Sequence, residues 1–124
     1  HEKILSLEEE IWQAIGIPYH VVNIAAGDLG APAFKKYDIE YWSPVDGMYR
    51  ELTSCSNCTD FQTHSLNIRV RRADGSLDTA HSLNGTAVSL ARSLVAILEN
   101  CQTADGKLCI PEVLRPYMGN REEI

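Results

Sequence analysis

The chain has 124 residues, 44% of them hydrophobic and 23% charged, with a formal net charge of -6. That length suits one domain burying about two-thirds of its unfolded surface, and the composition is ordinary for a globular fold. The acidic balance argues against a dedicated nucleic-acid surface, and no apolar run approaches the ~20 residues that span a bilayer. The start at His1 reads as the inside of a segment, so a piece of something longer is expected.

Ser6-Leu7-Glu8-Glu9 has the form of a capping box, with Ser6 at the N-cap and Glu9 three residues on. Leu7, Ile11, Ala14 and Ile15 make one apolar stripe of a surface helix. Gly16 is placed to end it in the left-handed conformation, and Pro18 prevents its return. No chemistry is assigned to this helix. Tyr19–Ala26 is rich in β-formers and reads as a buried strand, ending at a tight Gly27-Asp28-Leu29-Gly30 loop. Tyr37–Ser43 and Met48–Leu52 flank Pro44-Val45-Asp46-Gly47, a hairpin signal. The run Thr53-Ser54-Cys55-Ser56-Asn57 then lines either a polar pocket or a plain turn.

Thr59 is the candidate N-cap of a short helix, followed by strands at Leu66–Arg72 and Leu77–Leu83. Arg69, Arg71 and Arg72 suit a solvated strand face better than a nucleic-acid footprint. From Gly85 to Leu98 one charge, Arg92, stands in a segment apolar on every side, the pattern of a buried helix. An unpaired buried guanidinium costs several kcal/mol and cannot shed its proton, so Arg92 must reach a carboxylate, a phosphate or a wet cleft. Asn84 and Thr86 stand just before that helix, where free amide groups suit polar or anionic ligands. Lys107–Ile110 reads as a short strand, and Pro111–Leu114 as a helical turn with Pro111 at its first position. Arg115 and Tyr117 belong to a tail expected to dock. Of the four cysteines, Cys55 and Cys58 invite a zinc or redox reading. Cys101 and Cys109 are poorly spaced as a second ligand pair, so reduced core thiols are the favoured reading. A helix, hairpin-joined strands and a late helix give an α+β fold with a mainly antiparallel sheet and flanking helices.

Several stretches carry a resemblance. Tyr49–Gln62, with Arg50-Glu51-Leu52-Thr53-Ser54-Cys55-Ser56-Asn57, closely resembles a hallmark segment of seryl-tRNA synthetases. His81-Ser82-Leu83-Asn84-Gly85-Thr86-Ala87 running into Arg92 looks like motif 3 of class II synthetases. Gly27–Gly30, Tyr37–Glu40 and Ile110–Gly119 fit the same family in the same order. The resemblance implies a partial class II catalytic core, residues 1–124 being its C-terminal portion. It implies a cytoplasmic enzyme that activates L-serine with ATP and Mg2+ to seryl-adenylate and transfers it to tRNA(Ser), as a homodimer at full length. By the same resemblance Glu51, Leu52, Thr53, Ser54 and Arg92 bind ATP, with Arg92 and Glu51 catalytic. Glu51 would hold magnesium through ATP, Ser54 could join it, and Asn84 and Thr86 would recognise serine. Motifs 1 and 2 and the coiled-coil arm are not found, and His64-Ser65 stands where the family usually has two arginines. The isolated chain is therefore expected to be inactive; the alternative reading is a non-catalytic, synthetase-derived binding or structural module.

Overall fold

Helix α1 spans Glu2–Ile15 in the computed structural model, which describes residues 1–124. The helix starts five residues before the sequence signal suggests. His1 precedes it, and the Ser6 hydroxyl, far from capping, faces Glu10 Oε1 at 3.3 Å. The reason lies in the stripe it buries: Leu5, Glu8 and Trp12, with Ile4 beside them, rather than the stripe through Leu7. Burying Ile4 and Leu5 requires helix back to the first residues. The C-terminus is as expected: Gly16 sits at φ 83°, and its N–H donates to Trp12 O at 3.0 Å.

Four antiparallel strands form the main sheet in the order β1-β2-β3-β6: β1 Tyr19–Asn23, β2 Lys35–Ser43, β3 Met48–Thr59 and β6 Ser82–Gly85. The expected buried strand Tyr19–Ala26 is instead an edge strand of five residues with Val21 exposed. A 3-10 turn at Ala26–Asp28 follows it. The β2–β3 hairpin turns at Pro44–Gly47 as expected. β3, however, runs on through Thr53–Asn57, so the small hydroxyl residues are central strand and not a turn. They are short enough to lie under two helices, and Leu52, Thr53 and Cys55 are buried there.

A five-residue helix α2, Phe61–Ser65, follows, capped at Asp60 and not at Thr59, whose own φ is 45°. The strand expected over Leu66–Arg72 shrinks to β4, Arg69–Arg71, because Leu66 and Ile68 still bond back to α2. The next expected strand divides at Ala80–His81 into β5, Leu77–Thr79, and β6. β4 and β5 form an exposed hairpin of their own, in which Arg72 pairs with Asp78 at 2.8 Å. Arg69 and Arg71 bond within the same hairpin region, to Asn67 Oδ1 and Gly75 O, so this is a solvated face.

Helix α3 spans Leu90–Asn100, capped at Ser89, and so starts well after the expected position just past Thr86; Gly85 belongs to β6. The expected burial is also absent. Only Ser93 and Ala96 are buried, while Leu90 is 85% and Leu94 61% exposed. Both helices lie on one sheet face, where Trp12, Ile39, Tyr41, Leu52, Cys55 and Ala96 join in a single core. Lys107–Ile110 makes isolated bridges rather than a strand, and Glu112–Met118 is a 3-10 helix with Pro111 at its cap. Arg115 docks through Ile110 O at 3.1 Å, but Tyr117 is exposed.

Candidate functional site

Alternation along β2 puts Lys36, Asp38 and Glu40 on one face, and the hairpin register brings Ser54 opposite Asp38 and Glu51 opposite Glu40. A bulge between Ile39 and Glu40 accommodates the extra residue, Leu52, on β3. Glu51 is thereby set between two cations. Arg92 Nη1 lies 3.0 Å from Glu51 Oε2, and Lys36 Nζ lies 3.8 Å from Glu51 Oε1. Lys36 also reaches Asp38 Oδ1 at 2.8 Å. Burial pushes the Asp38 carboxyl above the usual range, and Lys36 pulls it back. Lys36 and Asp38 were not singled out from the sequence. Their signal was the β2 alternation, which becomes chemistry only once the register with β3 is known.

Arg92 reaches Glu51 because β6 pairs only with the Cys55–Thr59 half of β3 and leaves the Glu51 half uncovered. The α3 N-terminal half occupies that uncovered edge. The side chain of Arg92 is 51% exposed and that of Glu51 33%. The requirement that a buried Arg92 must find an anion therefore fails as stated. This arginine is half in water and is paired with an acid. What remains is a cleft of about 470 Å³ beside the pair, lined also by Tyr41, Asp46, Arg50 and Glu99. Its other cation is also held: Arg50 Nε donates to Asp46 Oδ2 at 2.8 Å, which pulls the Asp46 carboxyl below its ordinary value. Tyr41 donates to Glu99 Oε2 at 3.2 Å, and burial and that acid raise its phenol pKa.

The other sequence-picked residues gather elsewhere. Leu52 and Thr53 are buried in the sheet, so their side chains face the core and only their backbone is available to a ligand. Ser54 is half-buried, and its carbonyl accepts from Thr86 N–H at 3.1 Å. Asn84, exposed on β6, lies opposite Ser56. Ser54, Asn84 and Thr86 thus share the β3–β6 seam, outside the cleft lining that unites Glu51 and Arg92. His64 and Ser65 are exposed on α2, also outside that lining.

Behind the seam lies a group the sequence did not flag. Glu8 of α1 is 2% exposed, and neither carboxylate oxygen has a hydrogen-bond partner. It lies against Gly85: a Cβ there would stand 3.0 Å from Glu8 Oε1 and 2.6 Å from Ile4 Cγ2. Burial raises the Glu8 pKa to about 7, and the nearby Thr86 N–H, itself bonded to Ser54 O, acts the other way. No cluster of three or more His, Cys, Asp or Glu side chains is arranged to hold a metal, and Cys55 and Cys58 are buried and not disulfide-bonded. Glu51 alone suits magnesium only in the manner usual for that ion, which keeps waters and shares one or two carboxylates with substrate phosphates.

A family model for the class II tRNA synthetase core domain (G, H, P, S and T) matches residues 1–101. The serine–tRNA ligase of Dictyoglomus thermophilum is 58% identical over 98% of this chain, and that of Bifidobacterium animalis is 53% identical over 100%. The chain spans 29% of the length of each. Seryl-tRNA synthetase from Pyrococcus horikoshii, solved with ATP, superposes over the whole chain with a TM-score of 0.94 at 54% identity, covering 28% of that structure. The cytoplasmic serine–tRNA ligase of Naegleria fowleri, solved with AMP, gives 0.89 at 42% identity over 99% of this chain and 29% of that one. The expected antiparallel α+β core and the seryl-tRNA synthetase resemblance are both borne out.

Proposed function

The chain belongs to the class II tRNA synthetase core-domain family, and from that premise we propose that it carries the motif 3 half of a serine–tRNA ligase pocket. The reaction is ATP-dependent activation of L-serine to seryl-adenylate, followed by transfer to tRNA(Ser), in a cytoplasmic homodimer. Residues 1–124 are the C-terminal portion of that catalytic domain. The observation that carries this reading is the Glu51–Arg92 pair at the mouth of the cleft. A guanidinium held by a carboxylate is already oriented, and bidentate phosphate binding is what arginine does better than lysine. Arg92 would offer one edge to an ATP phosphate, and Glu51, with Lys36 beside it, is the carboxylate that would help hold the magnesium accompanying ATP. Leu52 and Thr53 serve through backbone, and Ser54 supplies a hydroxyl oxygen that can join the metal's shell. Asn84 and Thr86 face serine from the β3–β6 seam.

The charge that builds on phosphorus during carboxyl activation is stabilised by positioned cations, so losing Arg92 costs the chemical step. In a full-length serine–tRNA ligase carrying this segment, Arg92→Ala loses ATP–pyrophosphate exchange by ~10²–10³-fold. Exchange at the parent rate overturns the assignment. The isolated chain turns over little, since half the contacts cannot offset the cost of ordering the ligand. Adding a separate polypeptide carrying motifs 1 and 2 restores exchange; continued silence favours the non-catalytic module.

A further inference from the structure

We propose that Cys101 and Cys109 are a convergent thiol pair that an external disulfide converts to an intramolecular disulfide, a modification site fastening the exit of α3. Cys101 caps α3, its N–H donating to Ile97 O at 2.9 Å. The chain then reverses through Thr103–Lys107, with Gly106 at φ 83° and Thr103 N–H donating to Lys107 O at 2.8 Å. Gln102 and Leu108 form an antiparallel bridge, and Cys109 N–H donates to Cys101 O at 2.9 Å. The two cysteines are therefore directly opposite residues of a short antiparallel ladder. Hydrogen-bonded partners in such a ladder stand about 5.5 Å apart at Cα, inside the range a disulfide spans, and their side chains share a face.

Two further observations agree. Both cysteines line one cleft of about 390 Å³, together with Ile15, Ile110 and Arg115. Each is also reachable in turn: Cys109 is exposed and Cys101 half-buried. Burial, and then the nearby Cys109, raise the Cys101 pKa, so the exposed partner is the natural first nucleophile. Cys55 and Cys58 make the contrast. Both are buried, and only Cys55 belongs to the core cluster, while Cys58 sits at the β3 register shift between Asn57 and Thr59. Burial pushes the Cys55 thiol up to about 11, away from reactive thiolate.

The chemistry balances with a low-molecular-weight disulfide as oxidant. Cys109, as thiolate, attacks one of its sulfurs and expels the other half as a thiolate. Cys101 gives up its proton to solvent, attacks Cys109 Sγ in the mixed disulfide and releases the second thiolate. Two protein thiols are oxidised, and one small disulfide becomes two small thiols.

The test is incubation of the chain with oxidised glutathione at about pH 8, where thiolate is available, then tryptic mapping without reductant. Trypsin cuts after Lys107, between the two cysteines. The expected result is loss of two of the four thiols, with the Cys101 and Cys109 peptides joined until reductant is added. Cys109→Ser, at an exposed position, keeps the parent circular dichroism spectrum, yields no joined peptides and leaves Cys101 free or glutathionylated. A stable glutathione adduct on Cys109 of the parent chain overturns the proposal. So do four thiols left free, or oxidation of Cys55 or Cys58 ahead of this pair.

Discussion

The two long helices lie on the same sheet face and use it in opposite ways. α1 puts Leu5, Glu8 and Trp12 into the core and turns charged residues such as Lys3 and Glu10 outward. α3 puts its smallest residues, Ser93 and Ala96, against the sheet and turns Leu90, Leu94 and Leu98 outward. A largely apolar stripe facing the sheet seats α1, with Glu8 its one buried acid. For α3 the fully buried positions are small residues, and the leucines form an exposed patch of the kind that marks an interaction surface. Small residues at the contact let α3 sit close enough for Arg92 to reach Glu51. Stability of this chain is therefore concentrated under α1, and the Glu51–Arg92 pair stands at the start of α3.

The largest effect that follows is at Trp12. Its ring is fully buried in the core, and truncating it leaves a cavity. Trp12→Ala should lower unfolding free energy by ~3–5 kcal/mol in urea titration. A cost below 1 kcal/mol would show that α1 is not where the core is held.

Glu8 gives an effect of similar size that can be switched by pH. Its folded pKa is raised from 4.5 to about 7, because burial disfavours the charge. Between those values the folded chain keeps a proton that the unfolded chain has released. Its contribution is therefore favourable below pH 4.5, is lost as pH rises toward 7, and levels off above. The loss amounts to on the order of 3 kcal/mol over that window. Cys55, on the strand facing it, stays a neutral thiol there, and Glu8 belongs to no ion pair. Glu8→Leu should flatten the fall in melting temperature across this range. An unchanged slope in that variant would assign the pH dependence to other groups.

Gly85 tests how tightly α1 is seated. A methyl group there would meet Ile4 Cγ2 at 2.6 Å, so α1 has to shift away from β6. Gly85→Ala should cost about 1–3 kcal/mol by overpacking, read by the same urea titration. It should also speed hydrogen exchange at the Thr86 amide, now bonded to Ser54 O.

How far the sequence discloses this arrangement differs by element. The β2–β3 hairpin was legible because Pro44–Gly47 and the Ile39/Tyr41 alternation are local signals. The continuation of β3 was not, because a Ser/Thr-rich run has the chemistry of a turn and becomes strand only through its neighbours β2 and β6. α3 was legible as a helix, but its burial was not, since periodicity says which residues share a face and not what covers that face. Arg92 stood out as the lone charge of an apolar segment and Glu51 was named by resemblance, but their contact depends on how little of β3 the short strand β6 covers. Lys36 and Glu8 needed register and packing respectively. A lone acid on a helix reads as solvated until the helix is turned by one residue, as α1 is.

The smallest predicted change is also the sharpest test of the contrast between the helices. Leu94 is a leucine in mid-helix, where sequence alone suggests a core residue and a cost of ~2–5 kcal/mol on truncation. In the structure most of its side chain meets solvent, so Leu94→Ala should change stability by less than about 0.5 kcal/mol. Self-association through the same exposed patch is the expected outcome, and Leu90→Glu with Leu94→Glu should lower the weight-average mass in sedimentation without lowering the melting temperature. If Leu94→Ala instead approaches the cost of Trp12→Ala, the outer face of α3 is covered in solution. The two helices would then share the stability of the fold, and the asymmetry between them would be lost.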